Sequence, residues 1–235
     1  VIFVIEEANA MLPRGQFDIG EMPRFGLTQF ANRFPVQTQN PEIQISGDVA
    51  QNLTIMNELS RLPMSSIVAD FHCVTTWSSI DLKWEGILFK DVFERLIEPL
   101  AKPQKEAQFV ILKAQDGART SLPLSDLLKK NVILATRLND EPLSETHGAP
   151  VRLVAPDHYG YKNLKHLNRL SFHVENPGYR PSGFRFMEHP RARVAHEERG
   201  QFFPGWLLRH AYRPLIRPTI KLFERATKRR SKEHS

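Results

Sequence analysis

Asp70-Phe71-His72-Cys73-Val74-Thr75-Thr76-Trp77-Ser78 holds the one cysteine of a 235-residue chain. A single thiol cannot form an intrachain disulfide, so any use it has rests on the thiolate itself. Residues 67–73 read as a strand that ends at Cys73 and delivers it into a loop with Thr75, Thr76 and Ser78. Taken alone, an isolated cysteine in an apolar stretch is a small buried hydrophobe. A strand end is also a rigid mount for a ligand, and thiolate is a soft donor suited to thiophilic metals. His72 neighbours Cys73 on the strand and points to the opposite face, so it is not read as a ligand.

Working outward, 41% apolar and 25% charged residues are ordinary for a globular protein. No apolar run approaches the roughly 18 residues of a membrane span. Residues 1–5 lack the basic flank of a signal peptide, and the compartment stays open. The net charge of +6 is uneven. From Trp206 onward nine Lys and Arg face only Glu224 and Glu233, a charge of +7, which leaves −1 for everything before it. A nucleic-acid reading therefore rests on the tail alone, whose basic residues lack interleaved stacking aromatics; no nucleic-acid partner is expected.

Residues 1–40, broken by Pro13, Gly15, Pro23, Gly26 and Pro35, read as an N-terminal arm. Strands are expected at 43–49, 67–73, 109–114, 120–124, 132–137 and 151–155, with a partly alternating segment at 164–174. Helices are expected at 53–61, 91–100 and 125–130. Strands and short helices interleave without regular βαβ spacing, so the fold class is α+β with mixed or antiparallel sheets. The domain is placed at 41–180 and an irregular basic C-terminal extension at 181–235.

Two further segments suit an anion. His147-Gly148-Ala149-Pro150-Val151-Arg152 sets a tight loop before an arginine whose planar fork matches phosphate. In Tyr159-Gly160-Tyr161-Lys162-Asn163-Leu164-Lys165, Gly160 permits close backbone approach and two ammonium groups follow. Each alone also fits a solvated surface loop. There is no Walker loop, no GxGxxG, no zinc-type cysteine spacing and no nucleophile elbow.

The Cys73 run, Trp84-Glu85-Gly86, the stretch from Leu134 to Leu143, the His147–Arg152 loop and the Tyr159–Lys165 loop stand in one order. In that order and spacing they resemble the sulfite oxidase-like molybdopterin-binding domain, especially its bacterial members, over residues 32–174. The resemblance implies a molybdenum oxidoreductase with one molybdenum per chain, held by Cys73 and by the dithiolene of one molybdopterin. It implies that His147, Arg152, Lys162, Asn163 and Lys165 hold the pterin and its phosphate, and that Asn32 and Arg33 touch it. Asp116 is a further candidate contact; Tyr161 and Trp77 are candidate pocket walls. The expected reaction is two-electron oxygen-atom transfer on a small oxyanion or sulfoxide.

Sulfite-oxidising members place an arginine shortly after the metal cysteine; here the next cation is Lys83. No haem domain accompanies the module in this chain, so an external electron-transfer protein such as a cytochrome is expected. In the tail, Arg209, Arg213, Arg217, Lys221 and Arg225 recur every fourth residue, suited to a partner or membrane surface, though Pro214 and Pro218 interrupt a helix there. The alternative function is a cofactor-free binding module of the same fold acting through that tail.

Overall fold

The structure is a computed structural model that describes residues 4–6, 12–176, 182–183 and 187–233. Of the expected arm, 1–3 and 7–11 lie outside the described residues, as do 177–181, 184–186 and 234–235 of the later segments. Fourteen strands are described: β1 (Val4–Glu6), β2 (Phe17–Asp18), β3 (Ile43–Gly47), β4 (Leu53–Ile55), β5 (Ser65–Val68), β6 (Phe71–His72) and β7 (Trp77–Ser79), then β8 (Lys83–Leu88), β9 (Phe109–Ala114), β10 (Arg119–Pro123), β11 (Ile133–Leu138), β12 (Glu141–Pro142), β13 (Arg152–Val154) and β14 (Leu167–His173). One sheet runs β1-β5-β8-β11-β12 with β13 also on β11; a second runs β10-β9-β14-β3-β4; a small third runs β2-β7-β6. The β1–β5, β3–β14 and β2–β7 pairs are parallel and the others antiparallel, as the mixed α+β reading expects.

Alternation along β11 explains why two cores share the first sheet. Leu134 faces a core built from β3, β9, β14 and the helix after β8, while Ile133 and Ala135 face a second core with Trp77, Trp84 and Cys73. Successive strand side chains point to opposite faces, so one strand serves both. Gly86 on β8 is required there: a Cβ would lie 2.1 Å from the Leu134 carbonyl oxygen.

Several expected elements come out differently. The strand foreseen at 67–73 is broken at Ala69 and Asp70 into β5 and β6, and Cys73 sits just past β6. The helix foreseen at 53–61 is instead β4, captured at a sheet edge by β3, followed by a short 3-10 turn at Asn57–Arg61. The helix at 91–100 begins as α1 (Phe89–Val92) and widens into a π-helix over Phe93–Ala101, where Pro99 cannot donate to the preceding turn. The helix at 125–130 is the short α2 (Leu124–Leu127).

The largest correction is the extension, expected to be irregular. It folds into α3 (Gly205–Tyr212), a 3-10 turn at Arg213–Leu215 and α4 (Ile216–Glu233). Pro214 opens the 3-10 turn and Pro218 lies in the first turn of α4, where a missing N–H breaks no helical bond. Ile216 and Ile220 join the second core, and Phe223 and Ala226 pack on Ala31 and Phe34.

Candidate cofactor site

Three loops meet at a cavity of about 550 Å³. The Cys73 loop is built as a tight reversal: Cys73 N–H donates to the Trp77 carbonyl at 2.8 Å and Thr76 N–H to the Cys73 carbonyl at 3.1 Å. Thr76 is buried with φ +87°, a conformation a β-branched residue adopts only when its surroundings impose it. Those surroundings include Arg199, fully buried, whose guanidinium donates to the Val74 carbonyl at 2.6 Å and to the Arg14 carbonyl at 3.2 Å. Gln16 Nε2 donates to the Cys73 carbonyl at 3.0 Å. Cys73 Sγ lies 3.1 Å from Thr75 Oγ1, and burial pushes the thiol up to about 11.

The Gly160 loop is laced to the first: Gly160 N–H donates to the His72 carbonyl at 2.8 Å, and its α-carbon lies flat on Phe71, where a Cβ would stand 2.3 Å from the ring. Gly148, at φ +114°, lets the third loop press on Arg152 and Lys165, whose atoms a Cβ would meet at 3.0–3.2 Å.

Arg152 is the pivot of the cavity's polar end. It is fully buried; its guanidinium donates to the His147 carbonyl at 2.9 Å and the Asn163 carbonyl at 3.1 Å, and lies over Phe71 and Trp84 at 5.4 and 5.0 Å. Its Nε has no hydrogen-bond partner, and among the described residues no carboxylate pairs with it. Burial pulls its pKa down to about 9. A buried cation without a counter-charge is costly unless an anion arrives. Lys165 Nζ donates to the Thr146 carbonyl at 2.9 Å, and burial, then Arg152 and Arg24, pull it down to about 7. Asp116 also lines the cavity, its carboxyl raised by burial.

The remaining expected residues divide. Asn163 lines the cavity, but its amide braces the loop by accepting from Ala155 N–H at 2.6 Å and donating to the His158 carbonyl at 3.1 Å. His147 contributes its carbonyl to Arg152; burial, then Lys165 and Arg152, pull its ring pKa down to about 4, and Nδ1 is buried and unpartnered. Trp77 and Tyr161 both line the cavity. Four of the expected residues do not line it: His147 reaches it only through Arg152, and three more lie apart. Lys162 is fully buried and donates to the Ser121 carbonyl at 2.8 Å. Asn32 is exposed and accepts from Arg229 at 2.6 Å, and exposed Arg33 stacks on Phe30 at 5.0 Å.

Other lining residues carry no motif. Arg24 reaches it from the N-terminal segment, stacked at 4.1 Å on Phe34 and donating to the Ala31 and Arg33 carbonyls. His166 lines it too; its Nδ1 sits 2.6 Å from the Ala149 carbonyl, which only accepts, so Nδ1 carries the proton and Nε2 is left as acceptor. The far wall is the C-terminal helical segment, through Tyr212, Leu215, Thr219 and Phe223. Among these residues only Arg24 had a signal, being a cation among breakers.

Residues 31–179 match the family model described as the oxidoreductase molybdopterin binding domain. The chain belongs to that family. It is accordingly a molybdopterin-binding oxidoreductase, and its cofactor is molybdenum-molybdopterin. It is 37% identical over 139 residues to the uncharacterised oxidoreductase YuiH of Bacillus subtilis, covering 58% of this chain and 68% of that one. It is 32% identical over 197 residues to the protein-methionine-sulfoxide reductase catalytic subunit MsrP of Campylobacter jejuni, covering 71% and 64%. Mitochondrial sulfite oxidase of Drosophila melanogaster is 29% identical over 169 residues, 29% of its length. The chain thus spans about two thirds of the first two relatives. The sulfane dehydrogenase SoxCD of Paracoccus pantotrophus superposes with a TM-score of 0.52 over 61% of this chain and 40% of that one, at 20% identity, a likeness of fold.

The residues present fit such a cofactor. Cys73 sets a soft sulfur donor in the cavity wall beside Arg152, a buried guanidinium without a counter-charge among the described residues, and Lys165, a donor set for a thiophilic metal on a phosphorylated scaffold.

Proposed function

We propose that this chain catalyses two-electron oxygen-atom transfer with a neutral sulfoxide as substrate, and that Cys73 binds the metal while Arg152 and Lys165 hold the pterin phosphate. The bound cofactor would supply the redox centre through which the oxygen atom passes. The balanced reaction takes up two electrons and two protons per sulfoxide and yields a thioether and water, the electrons coming from an external redox protein.

The observation that carries the substrate class is the apolar surround of Cys73. Met22, Phe71 and Trp77 pack with it in one cluster; Phe25 crosses Trp77 edge-on at 5.5 Å, and Phe71 stacks on Trp77 at 5.6 Å. No cation follows Cys73 before Lys83, which is engaged with Asp140. An oxyanion entering that end would meet apolar walls and no cation of the Cys73 loop itself, with Arg152 and Lys165 given to the pterin phosphate in this reading, whereas a thioether oxide needs a single hydrogen-bond donor and apolar contact. The name of the MsrP relative points the same way.

The test uses molybdenum-loaded protein with artificial carriers. Methionine sulfoxide should oxidise a reduced viologen, and sulfite should not reduce ferricyanide above background. Sulfite turnover without sulfoxide turnover refutes the substrate class. Cys73→Ser should lower molybdenum retention and turnover by at least about 100-fold, as losing a direct ligand exceeds the loss of an outer one.

A further inference from the structure

Large apolar side chains are unevenly exposed on this molecule. Of the eleven exposed among the described residues, six fall between 202 and 222. Four are packed into six positions: Phe202 is 66% exposed, Phe203 49%, Trp206 55% and Leu207 42%. They occupy the turn before α3 and its first turn, ahead of Leu208 and Tyr212, which face inward. This cluster lies outside the cavity and is not used by the proposed reaction.

The helix that follows presents a single sign of charge. The inward face of α4 is Ile216, Thr219, Phe223 and Ala226. At 100° per residue the opposite face carries Arg217, Lys221, Arg225, Lys228 and Lys232, all exposed, with Glu224 at its flank. His210 and Arg213, also exposed, add to the basic side chains between the apolar turn and this stripe in the chain. Glu197, which packs against Gly205 in that turn, is already paired with Arg199 and Arg209.

We infer that the outer surface of residues 202–232 is a docking face for an anionic lipid surface, with Phe202, Phe203, Trp206 and Leu207 entering the headgroup boundary and the cationic stripe lying on the phosphates. Aromatic rings on a turn beside lysines and arginines match the layering of a bilayer interface, where apolar depth and negative charge occur together. An acidic protein would answer the stripe but would need a matching apolar patch beside its acids for the three aromatic rings, whereas an anionic bilayer supplies both layers everywhere on its surface. No helix among the described residues is long and apolar enough to cross a membrane, so the contact is peripheral.

Molybdenum-loaded protein is sedimented with vesicles of phosphatidylcholine alone and with about a third phosphatidylglycerol, in low and high salt. Binding to the anionic vesicles should be at least about tenfold tighter than to the neutral ones, weakened by salt, with a blue shift of tryptophan emission. The variant Phe202→Ser, Phe203→Ser, Trp206→Ser should lose about tenfold, and Lys221→Gln with Arg225→Gln should bind anionic vesicles more weakly and with a shallower salt dependence, while both keep molybdenum and turnover with artificial carriers. Equal binding to both vesicle types, or anionic binding unchanged in the apolar variant, overturns the proposal. So does tight binding to an acidic redox protein without vesicle binding. Since turnover is read with artificial carriers, failure here leaves the sulfoxide reading standing.

Discussion

Lys165 shares the polar end of the cavity with Arg152 and Arg24, and its ammonium loses more from burial and those neighbours than Asp116 returns. The pH consequence follows from its sign. In the unfolded chain a lysine holds its proton to about 10.4, whereas folded Lys165 releases it at about 7. Between those values the unfolded state binds more protons, so stability rises with pH. Folded Lys162, pulled down to about 8, acts in the same sense. Above about 8.5 an unfolded cysteine ionises while folded Cys73, raised to about 11, does not, and the trend is opposed. The thermal midpoint of cofactor-free protein should therefore climb between pH 7 and about 8.5, less steeply in Lys165→Met; a midpoint that falls over that window contradicts the assignment. Lys162 and Lys165 look alike in sequence, three positions apart in one basic loop. Only the path of the chain turns one to the Ser121 carbonyl and the other into the cavity.

At the scale of elements, the Cys73 loop is held by close backbone approach rather than by its own propensity. Gly160 lies against the Phe71 ring, and that ring stacks on Trp77, which closes the Cys73 turn. Gly160→Ala should destabilise the fold by about 1–3 kcal/mol and, by displacing Phe71, reduce molybdenum per folded chain. Gly86→Ala offers the comparison: its Cβ would strike the β11 backbone, so it should cost stability without that selective loss of metal. Chemical denaturation with metal analysis separates the two; equal metal retention would detach Gly160 from the site. Strands such as β9, with clean Val110, Leu112 and Ala114 alternation, were legible from pattern. β8 was not, because Gly86 reads as a breaker until its neighbour Leu134 is known. The C-terminal helices were hidden likewise, since prolines spaced four apart break a helix interior but not its first turn.

For the whole molecule, the basic extension is structural as well as charged. Phe223 on α4 lies on Ala31 and Phe34, and Tyr212, Leu215 and Thr219 close the cavity over the Cys73 loop. Removal of residues 205–235 should therefore open the cavity, expose Phe25 and Trp77 to a hydrophobic dye, and reduce cofactor retention. A truncated protein with full molybdenum and no dye binding would return the segment to the role of a detachable tail. The order of the five stretches from the Cys73 run to the Tyr159–Lys165 loop, and hence the family and its cofactor, could be read without coordinates, because such stretches are marked by side-chain chemistry and local spacing. Which cations face the cavity, and what closes it, could not. Arg24, Arg199 and Phe223 owe their roles to partners up to 203 positions away, such as Thr227 for Arg24. Contacts of that range are set by packing two cores against one shared sheet, and no local pattern encodes them.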